Sequence, residues 1–165
     1  MYLQELLNLD ISDILAVLAI AASPISELRG AIPAAIFGFH FPWYYAYSFS
    51  IIGNLLPVPF LLYFLNSIIR KSSKIGILDR ILGRLSKNAR QRGKIIERYE
   101  RIGLVLFVAI PLPVTGAWTA CLAAVLLGLR FKYALISISI GVLFAGIIVT
   151  SITFLGWNIL GLLTN

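Results

Sequence analysis

Two short polar motifs, Pro24-Ile25-Ser26-Glu27-Leu28-Arg29-Gly30 and Pro111-Leu112-Pro113-Val114-Thr115-Gly116, each interrupt an apolar stretch whose two arms are too short to cross a membrane separately. The arms of the first, Ile14 to Ala22 and Ala31 to Phe39, hold nine residues each. As helix they reach about 14 Å, roughly half of a ~30 Å hydrocarbon core. The pattern predicts two re-entrant helical hairpins, each with its polar tip near the bilayer midplane.

Composition points the same way. Of 165 residues, 59% are apolar and 13% charged, and the mean hydropathy is +0.92. That is too apolar for a soluble domain and too uneven for a disordered one. The apolar stretches are long and lack the alternation of barrel strands, so the spans read as helices. The N-terminal residues carry Glu5, Asp10 and Asp13 but no Lys or Arg, unlike the positive region of a signal peptide, so the first apolar segment is expected to be retained. Eleven of the fourteen basic residues fall between Arg70 and Arg101, with three acids among them. In a membrane protein such a block reads as a cytoplasmic loop rather than a nucleic-acid surface, and no nucleic-acid partner is expected. Cys121, the one cysteine, lies in an apolar stretch and reads as a packing residue.

The expected fold is an all-α integral membrane protein of one domain. Residues 1–13 form an interfacial helix with Leu3, Leu6, Leu7 and Ile11 on one face. Residues 14–39 form the first hairpin. Residues 43–65 form a transmembrane segment that opens on Trp43, Tyr44, Tyr45 and Tyr47 and kinks at Gly53-Asn54 or Pro57-Val58-Pro59. Residues 66–101 form a basic amphipathic segment on the inner surface, and residues 104–129 the second hairpin. Residues 133–163 are longer than one perpendicular span and are tilted, broken near Gly141 or Gly146, or continued along the interface at Trp157.

The halves resemble one another: Gly30-Ala31 and Gly116-Ala117 follow the tips, and Gly38 to Phe41 matches Gly128 to Phe131. With the basic segment inside, the first hairpin enters from outside and the second from inside. The uncharged turn His40-Phe41-Pro42 and the basic turn Arg130-Phe131-Lys132 agree with this inverted repeat. The rival topology counts each hairpin as one tilted span and leaves Glu27, Arg29 and two proline-rich breaks inside single helices.

Glu27 and Arg29 are the only charges in the first hairpin, and a charge at membrane depth costs at least ~2.5 kcal/mol unless it is paired or wet. Glu27 reads as a protonatable carboxylate or cation ligand, Arg29 as an anchor for an anionic group. Alternatively the two pin the loop as a mutual pair, which at i and i+2 requires irregular backbone. Ser23 before Pro24 reads as a helix N-cap, with Glu27 near the positive end of the second arm. Thr115-Gly116 caps a helix in the other tip, and Thr115, Trp118 and Thr119 are candidate lining residues. Asn54, in the middle of a span, is a pocket wall or interhelical glue. Pro24, Gly30, Pro33, Pro111, Pro113 and Gly116 shape the tips. With one His, one Cys and no clustered acids, neither a metal site, a cofactor nor a nucleophile with its base is expected, and an enzyme is not.

The motifs Pro24-x-x-Glu27-x-Arg29-Gly30-Ala31-x-Pro33 and Pro111-x-Pro113-x-Thr115-Gly116-Ala117-Trp118 resemble those of the small multidrug export protein family, a relative of the DedA and VTT-domain membrane proteins. The resemblance implies two oppositely oriented re-entrant hairpins and movement of something across a membrane. In the wider group it implies flipping of phosphorylated lipid carriers or phospholipid scrambling. DedA proteins carry arginine in the second motif, whereas Leu112, Val114 and Thr115 leave this tip uncharged.

The function expected is therefore a plasma-membrane, multi-pass transporter of a small molecule. It would be proton-linked through Glu27, with Arg29, Thr115, Asn54 and Trp118 at a site formed by the hairpins. The alternative is a lipid flippase or scramblase; a structural membrane protein is a third reading. Membrane lipids contact the chain, and a homodimer is expected through the faces of Gly141 and Gly146.

Overall fold

The computed structural model describes residues 10–72, 94–112 and 115–163. Every element in them is helical: α1 (Ile11–Ala22), α2 (Glu27–Pro33), a π-helix (Ala34–Gly38), α3 (Trp43–Leu55), α4 (Val58–Ser72), α5 (Lys94–Ala109), α6 (Ala117–Leu126) and α7 (Phe131–Leu163).

The helices end where the sequence removes donors or frees φ. A residue before proline is pushed out of the α region, and Ser23, before Pro24, closes α1 at φ −67° and ψ 137°. Pro57 and Pro59 lack the N–H groups that would carry α3 into α4. Pro33 closes α2, and the ladder beyond it widens into the π-helix, whose exit is held by Phe39 N–H on Ala34 O at 3.1 Å and Phe41 N–H on Ala35 O at 2.8 Å. After α6, Gly128 takes φ 71°. Leu129 N–H then reaches back to Ala124 O at 3.0 Å, closing the helix end as a left-handed glycine permits.

Two stretches of 26 residues, Trp43–Ile68 and Phe131–Gly156, are long and apolar enough to cross a membrane. Only 33% and 44% of their most apolar windows are buried, so each turns most of its surface outward. Phe60, Tyr63, Phe64, Ile136, Phe144 and Ile152 are exposed there. In water such a surface is a liability; against lipid it is the expected one. The chain is a helical membrane protein.

The chain divides into two compact units, residues 1–56 with 145–165 and residues 57–144. In the first, α1 packs on α3 and α2, and α2 packs on α3. Small residues let the backbones approach. A Cβ on Gly53 would lie 2.7 Å from Leu18 O and 2.9 Å from Ala21 Cβ, so the α1–α3 crossing depends on its absence. Val17, Ala35, Phe41 and Ala46 form a core cluster, edged by Phe49, which stacks on Tyr45 at 6.0 Å and meets Phe41 edge-on at 6.2 Å. In the second unit α6 packs on α4 and α5. Cys121 is buried, its thiol 3.9 Å from Val58 O. Midway along α5 the Arg101 guanidinium sits 4.1 Å above the Tyr133 ring.

The structure redraws several expected boundaries. α1 starts at Ile11 rather than Ile14, and Glu27 to Gly30 form the first turn of α2 rather than loop. α5 begins at Lys94, so the boundary placed at 101–104 falls inside one helix. α7 is unbroken through Gly141 and Gly146. Those glycines receive the chain itself: a Cβ on Gly141 would lie 2.6 Å from Val108 Cβ, and one on Gly146 would lie 2.8 Å from Ile51 Cδ1 and Tyr47 Cε2. At both positions the missing Cβ makes room for the chain's own side chains, Val108 at Gly141 and Ile51 with Tyr47 at Gly146. Residues 1–9 of the interfacial helix, residues 73–93 of the basic segment and Pro113 lie outside the described residues.

Candidate functional site

The break between α1 and α2 builds the first tip. Ser23 ends α1 with its N–H on Ala19 O and Ile20 O, and its Oγ accepts weakly from Ile25 N–H at 3.4 Å. Ser23 is thus a helix end, not the N-cap expected of it. That position falls to Ser26, which makes no side-chain cap bond. Glu27 N–H bonds Ser23 O at 3.2 Å and Gly30 N–H bonds Ser26 O at 3.0 Å, folding Pro24 to Ser26 into a tight turn. A Cβ on Gly30 would lie 2.8 Å from Ser26 Cβ, so the turn closes this tightly only on glycine.

Glu27 enters α2 at φ 46°, a region that costs an L residue with a Cβ roughly 1–2 kcal/mol. The strain has a geometric result. Residues two apart on a regular helix point away from each other, yet Glu27 Oε2 and Arg29 Nη2 lie 3.9 Å apart. The carboxylate is nearly enclosed and the guanidinium partly so, their side chains 9% and 29% exposed. At that length the contact is looser than the 2.7–2.9 Å of a direct charge-assisted hydrogen bond.

Asn54 stands in the same unit, on α3. Its Nδ2 donates to Ala21 O in the last turn of α1 at 3.1 Å, tying the tip to the span. Its Oδ1 is buried with no hydrogen-bond partner, as is the hydroxyl of Ser50 one turn earlier. Sequence reasoning passed over Ser50; its spacing of four from Asn54 was the signal.

The second tip, in the other unit, is held by its own loop. Thr115 Oγ1 lies 2.8 Å from Ile110 O and 3.0 Å from Leu112 O, and accepts from Leu112 N–H at 3.1 Å. Gly116 is the N-cap of α6, and its N–H donates to Thr119 Oγ1 at 3.1 Å. Thr115 therefore spends its hydroxyl on closing the loop, while Trp118 is half-buried in the first turn of α6. Pro111 lies in the loop between α5 and α6.

His40 also takes a left-handed φ, 55°. It lines a cavity of about 270 Å³ with Ile36, Phe37, Thr153 and Phe154, directly after the π-helix, an irregularity common near functional sites. Neither feature was legible in the sequence.

The family model described as "Putative small multi-drug export protein" matches residues 27–148, well over half of the chain. The match opens on Glu27 and takes in Arg29, Asn54, Thr115 and Trp118. No curated protein and no solved structure matches the chain. On the extent of that match, the chain belongs to the small multi-drug export protein family, a family of export proteins rather than an enzyme class.

Proposed function

We propose that this protein moves a small anionic molecule across the membrane together with a proton and that the Glu27–Arg29 pair is the coupling element. The observation that carries the reading is a buried carboxylate held 3.9 Å from the one guanidinium of its unit's tip, on a strained backbone. An ionised Glu27 and an anionic group on a substrate compete for the same cation. When Glu27 takes up a proton, its attraction for the Arg29 guanidinium falls away. An anionic group on the substrate then binds the guanidinium in its place. Loss of the proton re-forms the pair and displaces the anion. Proton and anion therefore bind and leave together, each favouring the other, so the anion crosses with a proton.

Asn54 supports the reading by anchoring the end of α1, which fixes the turn that places Glu27. The plasma-membrane location, the cytoplasmic face of the basic segment, the re-entrant course of the helix pairs with their inverted repeat, and self-association belong to the same proposal. Trp118 enters it as a wall of its own tip.

The test is efflux of small fluorescent organic anions from proteoliposomes under an imposed pH gradient. Wild type accelerates efflux with the gradient, Glu27→Gln loses the dependence on it, and Arg29→Ala loses efflux. Dithionite quenching of labelled phospholipid in the same vesicles separates export from lipid flipping. Lipid exposure that requires Arg29, without anion efflux, overturns the exporter reading in favour of a flippase.

A further inference from the structure

The second unit carries a cluster of charge that the Glu27–Arg29 pair does not use. There α5 and α7 run parallel. The Arg101 guanidinium sits 4.1 Å above the Tyr133 ring, and further along both helices a Cβ on Gly141 would lie 2.6 Å from Val108 Cβ. Parallel helices in contact at both points enter the membrane from the same side. The apolar stretch of α7 opens at Phe131, so its first turn lies at a membrane surface, where Tyr is the expected residue. The contact with Tyr133 puts Arg101 at that same level. The start of α7 adds two more cations. Arg130 O accepts from Tyr133 N–H at 2.9 Å and Ala134 N–H at 3.0 Å, which fixes Arg130 at the first turn, and Lys132 lies within that turn.

Three cations thus share one level. Arg130 and Lys132 are exposed and Arg101 is half-buried. From Arg101 to the end of the sequence there is no Asp or Glu, and among the described residues neither Arg130 nor Lys132 is in an ion pair. Glu100 stands beside Arg101, so the rim keeps a net positive charge. Tyr133 restrains the Arg101 guanidinium, so less side-chain freedom is lost when its planar array of donors meets a phosphate.

The cations stand above an apolar wall. Ile102 and Leu106 on α5 and Ile136 on α7 are exposed, and Leu106 and Ile136 lie about 6–8 Å along their helices beyond Arg101 and Lys132. A ligand that satisfies both parts carries an anionic head and a hydrocarbon tail, which is the chemistry of an acidic membrane lipid. A soluble anion would use the cations and leave the wall bare.

We infer that Arg101, Arg130 and Lys132 bind the headgroup of an anionic phospholipid whose chains lie along Ile102, Leu106 and Ile136. This site stands independently of the Glu27–Arg29 coupling, since it belongs to the other unit and shares no residue with it.

The experiment is thermal unfolding of the purified full chain in non-ionic detergent, titrated with phosphatidylglycerol, with phosphatidylcholine of the same chains, or with soluble glycerol phosphate. Phosphatidylglycerol raises the unfolding temperature saturably, and the other two do not. Combined Arg130→Gln and Lys132→Gln raises the half-saturating phosphatidylglycerol concentration roughly 25-fold, at about fivefold for each surface cation. Both side chains are exposed, so the variant folds. Arg84→Gln with Lys87→Gln, which removes the same charge from the basic segment, keeps the wild-type titration. Equal stabilisation by phosphatidylcholine overturns the inference, as does a titration unchanged in the Arg130–Lys132 variant. Stabilisation by glycerol phosphate to the same extent also overturns it, in favour of a soluble phosphate ligand. So does an equal loss in the Arg84–Lys87 variant, which would make the effect one of net charge alone.

Discussion

Glu27 and Arg29 meet across 3.9 Å although only one residue separates them, because Glu27 enters its helix at φ 46°. Regular helix would send the two side chains apart. The backbone strain and the ion pair are therefore one feature, and each can be tested through the other.

The strain predicts a reversed order of substitutions. In a regular helix interior glycine is less stable than alanine by about 1 kcal/mol. At position 27 the Glu27→Gly variant should exceed Glu27→Ala by roughly 1 kcal/mol, since glycine takes positive φ without penalty. Denaturation of both in mixed micelles measures the sign.

The pair predicts unequal losses. Arg29 is the more exposed partner and Glu27 the more enclosed, so removing the arginine takes an ion-pair contact from the more deeply buried charge. Arg29→Ala should destabilise by about 1–3 kcal/mol, and Glu27→Gln by less. The double variant should be more stable than Arg29→Ala alone, because the enclosed carboxylate is then neutral. A double-mutant cycle in the same denaturation assay checks this.

Close packing of α1 on α3 predicts that Gly53→Ala costs about 1–3 kcal/mol, as overpacking against rigid backbone does. The added Cβ would sit 2.7 Å from Leu18 O. Gly103→Ala meets nothing within 4 Å in α5 and should gain up to about 1 kcal/mol from helix propensity. Unfolding temperatures of the pair decide the matter.

Thr115 predicts a structural rather than a substrate phenotype. Its hydroxyl closes the loop through Ile110 O and Leu112 N–H, so Thr115→Val should destabilise by about 1 kcal/mol and Thr115→Ser should restore most of it. Substrate affinity, measured by efflux at graded concentrations, should change little in Thr115→Ser.

What the sequence disclosed follows from how local each cause is. The breaks at Pro24, Pro57 and Pro111 were legible, because a missing N–H and a clashing ring act within a few residues. The requirement for irregular backbone beneath a Glu27–Arg29 pair was also legible, as pure helix geometry. The helical state of Glu27 to Gly30 was not: the turn is set by Gly30 against Ser26, a contact that forms only once α1 and α2 fold back. Gly141 and Gly146 looked like free faces, since their partners, Val108 and Tyr47, lie distant in sequence. Ser50 reads as an ordinary helical serine until its unmade bond is seen beside Asn54.

The most direct test of the proton coupling is proton uptake on substrate binding, followed with a pH indicator in weakly buffered detergent solution. On the account given, adding an anion that the vesicle efflux assay identifies as transported makes wild type absorb protons, while Glu27→Gln binds the anion and absorbs none. Anion binding without proton uptake in wild type, or the same uptake in Glu27→Gln, would contradict it.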